Sequence, residues 1–140
     1  MRYWDASALV PLVIAEPASD RAREWLAEDR HIITWVWTRT EIVSAVERRS
    51  REGSLSRMQR REVLGRFDAL AGDWDEVTDI LAVRSRANAL LARHPLRAAD
   101  AGQLGAALLV GEQLAEPLTF VCLDQRLSSA AELEGFRVLP

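Results

Sequence analysis

The chain has 140 residues, of which 49% are hydrophobic and 28% are charged, as in ordinary globular proteins and unlike disordered or fibrous ones. This length predicts one domain over residues 1–140. The formal net charge is −3, so attraction to a nucleic acid would depend on a local basic patch rather than on the whole molecule. All 18 basic residues are arginine, which excludes any mechanism that needs a lysine amine.

No apolar stretch approaches the roughly 18 residues of a membrane span, and Met1 leads into a strand-like segment without a basic leader. We therefore expect a cytoplasmic protein without membrane contact. Cys122 is the only cysteine, which excludes an intrachain disulfide and a thiolate metal cage. Its simplest role is to fill the core.

Short apolar runs alternate with helical patterns along the chain. Strands are predicted over residues 2–4, 32–37, 118–123 and, more weakly, 136–139. Helices are predicted over residues 7–15, 18–27, 41–51, 57–71 and 99–114, and another amphipathic helix over about 80–91. The second and third strands are nearly continuous apolar runs, which is typical of parallel strands covered on both faces. This alternation predicts a three-layer α/β/α sandwich with a central, mostly parallel sheet, in which Trp35 and Trp37 pack in the core.

Acidic residues follow the predicted strands. Asp5 and Asp124 come directly after the first and third strands, and Glu41 lies shortly after the second. Because sites in such sheets form at the carboxyl ends of strands, these acids are expected at one rim. Each also has a structural interpretation, since aspartate is a favoured helix N-cap and Thr38-Arg39-Thr40-Glu41 has the spacing of a capping box.

Asp100 is the most informative acid. On a helical wheel it shares one side with small and apolar residues, namely Leu104, Ala107, Leu108 and Gly111. It is therefore expected to point inward near the start of its helix. Four carboxylates at one rim would repel one another unless a cation offset their charge. Oxygen ligands suit Mg²⁺ or Mn²⁺, whereas the isolated His31 and His94 are not expected to bind a metal.

These residues resemble a known family in their order and spacing. Asp5-Ala6-Ser7-Ala8-Leu9 after an N-terminal strand, Glu41 at the head of a helix, Asp100-Ala101 opening an alanine-rich helix and Asp124 after a late strand are similar to the motifs of PIN-domain ribonucleases. Among these, the chain most resembles the VapC-type toxins of bacterial toxin–antitoxin pairs. The resemblance extends from Met1 to Leu139.

The resemblance implies a fold, an activity and partners. It implies a PIN-like α/β/α fold and a Mg²⁺ or Mn²⁺ site on four acids: Asp5, Glu41, Asp100 and Asp124. The implied reaction is endonucleolytic cleavage of RNA by a metal-activated water. The implied partners are a cognate antitoxin protein and a second copy of the chain in a homodimer.

Other residues near the acids have candidate roles. Ser7 could orient Asp5, although it is equally well explained as a turn hydroxyl. Arg97 and Arg126 flank site acids and could contact RNA phosphate or pair with the carboxylates. Cys122 stands where many relatives have Thr or Ser, so a hydroxyl contact of that position is in doubt.

Two further charged segments have structural interpretations. The acids Asp73, Asp75, Glu76 and Asp79 lie between predicted helices, where solvated loops and helix caps explain them. The segment from Arg48 to Arg66 is rich in arginine and forms a local basic patch. It could contact RNA, an antitoxin or solvent, and the sequence leaves these alternatives open.

Two other functions are compatible with acids at strand ends. A phosphoacceptor or phosphatase-like α/β domain has a similar arrangement, but its chemistry typically uses a lysine, which this chain lacks. A non-catalytic binding module could keep a PIN-like shape. The presence of all four acids argues against that alternative.

Overall fold

The apolar runs of the sequence form a central sheet in the computed structural model, which describes residues 1–139. The strands are β1 (Arg2–Trp4), β2 (Ile32–Trp35), β3 (Asp75–Val77), β4 (Thr119–Val121) and β5 (Arg137–Leu139). The helices are α1 (Ala6–Val13), α2 (Ser19–Glu28), α3 (Thr38–Arg51), α4 (Arg57–Ala71), α5 (Ile80–Arg93), α6 (Ala98–Gly111) and α7 (Gln125–Leu133). No helix in this part of the chain combines the length and the apolar character needed to cross a bilayer.

The strands are ordered β3-β2-β1-β4-β5, and every pairing among residues 1–139 is parallel. Side chains alternate between the two faces of this sheet. On β1, Trp4 packs with residues of α1 to α4, and Tyr3 packs with residues of α5 to α7. Both aromatic side chains are fully buried. The predicted three-layer sandwich is confirmed.

The order of the connections places a crevice beside β1. The crossovers from β1 through β2 to β3 use α1 to α4 on one face, and those from β3 through β4 to β5 use α5 to α7 on the other. This change of face is what a constant crossover hand requires when the strand order reverses. The reversal lies between β1 and β4, and ligands of such sheets bind at the carboxyl ends of strands at this point.

The segment around Asp75 is an edge strand, so its interpretation as a loop was wrong. Asp75 lies opposite Ile33 and Val77 lies opposite Trp35 in the parallel register. The strand escapes sequence patterns because it has three residues and only Val77 is buried. Charged residues are common on edge strands, where they limit aggregation. The cap interpretation holds for Asp79, whose carboxylate accepts a hydrogen bond from Ala82 N at 3.0 Å.

The second strand is shorter, and the helix after it longer, than predicted. β2 ends at Trp35, and Trp37 is 55% exposed, so the prediction that Trp37 packs in the core was wrong. Because α3 begins at Thr38, Glu41 lies one position too far along the helix for a capping box. The capping-box interpretation was therefore also wrong. The Thr38 hydroxyl is instead buried against the Thr34 hydroxyl, at 2.7 Å.

Candidate active site

The four predicted acids border one cleft of about 350 Å³ at the carboxyl ends of the strands. Asp5 directly follows β1, and Asp124 follows β4 after two residues. Glu41 and Asp100 lie near the N-termini of α3 and α6, which both begin at this edge of the sheet. Strand ends and helix starts from distant parts of the chain thus bring these carboxylates together.

Asp5 is held by Ser7 and is 4% exposed. Its Oδ2 atom accepts hydrogen bonds from Ser7 N at 3.0 Å and Ser7 Oγ at 2.5 Å. The Ser7 Oγ atom also accepts a hydrogen bond from Leu123 N at 2.9 Å, which joins the ends of β1 and β4. Burial raises the pKa of Asp5, the Ser7 hydrogen bonds partly oppose this, and the charge of Asp100 raises the pKa further.

Cys122 lies beneath Asp5, fully buried, with its Sγ atom 3.6 Å from Asp5 Oδ2 and 3.4 Å from Asp124 O. Burial and the charge of Asp5 raise the thiol pKa to about 12. The thiol therefore remains protonated at neutral pH and is a weak donor to Asp5. The contact of residue 122 with Asp5 is therefore made by a thiol and not by a hydroxyl group.

Glu41 is oriented by a buried hydrogen-bond network. Gln103, fully buried on α6, donates from Nε2 to Glu41 Oε1 and to Thr38 Oγ1, both at 3.0 Å, and accepts from Tyr3 Oη at 2.8 Å. Burial, Asp5 and Asp100 raise the pKa of Glu41 to about 7, although the hydrogen bond from Gln103 opposes this. A large fraction of Glu41 is therefore protonated near neutral pH when no cation is bound.

Asp100 and Asp124 complete the acidic rim. Burial and the charge of Asp124 raise the pKa of Asp100, while Arg97 and Arg126 lower it. Arg97 Nε lies 3.8 Å from Asp100 Oδ2, and its side chain is 79% exposed. Asp124 caps α7, since its Oδ1 atom accepts from Leu127 N at 2.9 Å. The N-cap interpretation thus holds for Asp5 and Asp124, and each cap uses one of two carboxylate oxygens.

The donor set suits a hard cation. The negative charge of neighbouring carboxylates helps to raise the pKa values of Asp5, Glu41 and Asp100. A divalent ion bound to the carboxylate oxygens would offset that repulsion. Within residues 1–139, no three carboxylate, imidazole or thiol groups lie close enough together to form a complete metal site as they stand. His31 and His94 lie outside the cleft and contact Asp75 and Glu134.

Comparison of the sequence with known proteins identifies its family. The PIN domain family model matches residues 2–133. This chain belongs to the PIN-domain family. It is also 31% identical over 137 residues to Ribonuclease VapC46 of Mycobacterium tuberculosis (strain ATCC 25618 / H37Rv), a match that covers 98% of this chain and 95% of that protein. The predicted resemblance to VapC-type PIN-domain ribonucleases is confirmed.

The PIN-domain chain also contains site residues that the sequence patterns missed. Gln103 contacts Glu41 but stood among the small and apolar residues of α6. The sequence could have indicated Gln103 through its spacing from Asp100, because residues three apart on a helix lie on the same face. Arg48 lines the cleft with Glu41 but was predicted only as part of a broad basic patch.

The structure separates the arginines of that patch by their contacts. Arg49 pairs with Glu16, Arg60 pairs with Glu47, and Arg66 donates to Val13 O. These three side chains bridge elements of the PIN domain. The Arg48 side chain forms no hydrogen bond or ion pair within residues 1–139, and it lines the cleft.

Proposed function

We propose that this chain is the toxin of a type II toxin–antitoxin pair, an endoribonuclease that depends on Mg²⁺ or Mn²⁺. The observation that carries the proposal is the cleft bordered by Asp5, Glu41, Asp100 and Asp124 at the strand ends of a PIN domain. The 31% identity to a protein named Ribonuclease VapC46 supports the activity. The absence of lysine and the family match both disfavour a phosphoacceptor.

In this proposal the four acids hold the cation. The chemistry that a divalent ion would supply there is a lowered pKa of a bound water and an offset of the charge on the phosphate. Ser7 orients Asp5, and Gln103 orients Glu41. These hydrogen bonds limit the conformations of the two carboxylates before the cation binds. Arg97, at the exposed rim, would contact the phosphate backbone of the substrate. Arg126, whose positive charge lowers the pKa of Asp100, would lie near the same phosphate backbone.

The proposed assembly follows that of toxin–antitoxin pairs. RNA is the substrate, a cognate antitoxin protein is the inhibitor, and two copies of the chain form a homodimer. The cytoplasm is the proposed compartment because the substrate is found there. Residues 1–140 act as one nuclease domain.

Cleavage of RNA by the purified protein tests the proposed activity. Total RNA is incubated with Mg²⁺ or Mn²⁺, and the products are compared with those formed in EDTA. The variants Asp100→Asn and Asp124→Asn are expected to lose at least 100-fold in rate, because each removes a proposed ligand charge. Asp73→Asn, which changes an exposed aspartate outside the cleft, is the matched control.

Two results would contradict the proposed mechanism. One is cleavage that continues unchanged in EDTA, and the other is equal cleavage by Asp100→Asn and wild type. Calorimetric titration with Mn²⁺ tests the metal site without activity. If Asp5→Asn and Asp124→Asn bound Mn²⁺ with unchanged affinity, Asp5 and Asp124 would not be ligands of the same ion.

A further inference from the structure

Trp37 is an exposed aromatic residue beside the acids. It lies at the N-terminus of α3 and borders a second open cleft of about 450 Å³. Within residues 1–139, the other tryptophans are buried or half-buried, whereas Trp37 is 55% exposed. Other large apolar side chains of the described residues are as exposed as Trp37, so its place in the lining of this cleft, rather than its exposure alone, suggests a binding role.

The second cleft continues into the acidic one. Both are bordered by Glu41, Arg48, Arg97 and Asp100, so they form one groove. Trp37, Glu41 and Arg48 lie on one face of α3 at intervals of four and seven residues. At 1.5 Å per residue, Trp37 and Arg48 are roughly 16 Å apart along the helix, with Glu41 between them.

Two arginines of the groove, Arg48 and Arg97, can contact a polyanion beside the four acids, whose own charge a bound cation would offset. Arg48 has no ion pair within the described chain, and Arg97 lies 3.8 Å from Asp100 with 79% of its side chain exposed. Both guanidinium groups can therefore contact phosphate. An exposed indole next to such cations is the arrangement by which proteins bind single-stranded nucleic acid, because every base presents a flat face for stacking.

We propose that Trp37 stacks on an unpaired base of the RNA beside the phosphate held at the four acids, while Arg48 contacts the backbone on the other side of Glu41. The inference rests on the proposed function and adds to it a residue that distinguishes unpaired from paired RNA. In a duplex the bases stack on one another, so no face is available to Trp37. Trp37 therefore determines specificity for single strands.

Binding measurements on a cleavage-deficient protein test this inference. Asp100→Asn is the parent, and the probes are a labelled single-stranded RNA of 12 nucleotides and the same strand annealed to its complement. Adding Trp37→Ala should weaken single-strand binding by about 5- to 150-fold, while Trp37→Phe, which keeps an aromatic face, should stay within about threefold. Duplex binding should change little. Leu81→Ala, which removes another exposed apolar side chain, is the control.

Several outcomes would overturn the inference. One is that Trp37→Ala binds single-stranded RNA with the same affinity as its parent. Another is that Trp37→Phe and Trp37→Ala lose the same affinity. A third is that Trp37→Ala loses as much affinity for the duplex as for the single strand. If Trp37→Ala instead sediments as a smaller species than its parent, Trp37 belongs to a protein interface. Failure of the proposed function is visible separately, because wild type would then cleave no RNA. If wild type cleaves and Trp37→Ala keeps its KM, only the role of Trp37 fails.

Discussion

The hydroxyl of Ser7 joins two parts of the candidate site. It donates to Asp5 and accepts from the backbone of Leu123, so it links a proposed ligand to the end of β4. The turn-hydroxyl interpretation and the orienting role, which were alternatives for Ser7 in the sequence, are therefore compatible. Residues that orient metal ligands commonly affect metal affinity or activity as much as 10- to 100-fold.

Ser7→Ala should lower the rate of RNA cleavage by about 10- to 100-fold, because Asp5 would lose a hydrogen bond and Leu123 N would lose its acceptor. Single-turnover cleavage at saturating Mn²⁺ measures the effect. Ser129→Ala is the control, since that hydroxyl bonds only within its own helix. A rate equal to wild type would show that Asp5 needs no support from Ser7.

The raised pKa of Glu41 predicts a pH-dependent stability in the absence of metal. Because this pKa rises from 4.5 in the unfolded chain to about 7 in the fold, the folded state binds the proton more tightly. The contribution of Glu41 is therefore most favourable below pH 4.5 and is lost as the pH rises through about 7. Glu41→Gln should be more stable than wild type at pH 8 by about 1–2 kcal/mol and show a smaller decrease between pH 5 and 8.

Urea unfolding in EDTA at pH 5 and pH 8 measures this difference. Some decrease should persist in Glu41→Gln because the pKa values of Asp5 and Asp100 are also raised. Glu24→Gln, at an exposed position outside the cleft, should keep the wild-type pH dependence. Identical pH dependence in Glu41→Gln and wild type would contradict the prediction.

At the scale of elements, the close packing of α5 against α6 supports the rim. Gly105 allows this approach, because a Cβ atom there would lie 3.0 Å from Val83 O and 3.1 Å from Ala87 N. Both neighbours are backbone atoms, so a methyl group could be accommodated only by moving a helix. Since α6 carries Asp100 and Gln103, this contact also positions the site.

Gly105→Ala should destabilise the fold by about 1–3 kcal/mol, since overpacking outweighs the better helix propensity of alanine. Gly65→Ala is the matched control in the exposed interior of α4, where a Cβ atom would meet nothing within 4 Å. That variant should be stabilised by about 0.5–1 kcal/mol. Thermal unfolding of both variants measures the effects. If both variants were more stable than wild type, α5 and α6 could move apart without loss of free energy of unfolding.

Sequence patterns predict the elements whose energetics are local and miss those that depend on neighbours. α4 was predicted with its observed bounds because apolar side chains recur along one face. β3 was missed because its pairing with β2 stabilises it more than its own composition does. The start of α3 was misplaced because Thr38 is buried by contacts with Thr34 and with Gln103, and Gln103 is 65 positions away in the sequence.

At the scale of the whole molecule, metal binding and folding should be linked. A cation that binds only the folded site stabilises it by about 2.7 kcal/mol at 100 times its Kd, which corresponds to a rise in Tm of roughly 5–10 °C. Asp5→Asn should abolish the rise, because it removes a buried carboxylate from the site. Asp73→Asn should keep it. Thermal scans with Mn²⁺ measure the shift, and an equal rise in Asp5→Asn would contradict ligation by Asp5.

The neighbours of β1 have a consequence for protein synthesis. Asp5 contacts Cys122 across 117 positions of the chain, and Asp5 N bonds to Val121 O. A nascent chain that lacks β4 therefore has neither this support for Asp5 nor the carboxylate of Asp124. The ribosome releases the N-terminal part first, so the cleft is completed only after Asp124 has left the exit tunnel. If the four acids form the site as proposed, the nuclease should therefore be inactive while the message that encodes it is still being translated up to Asp124.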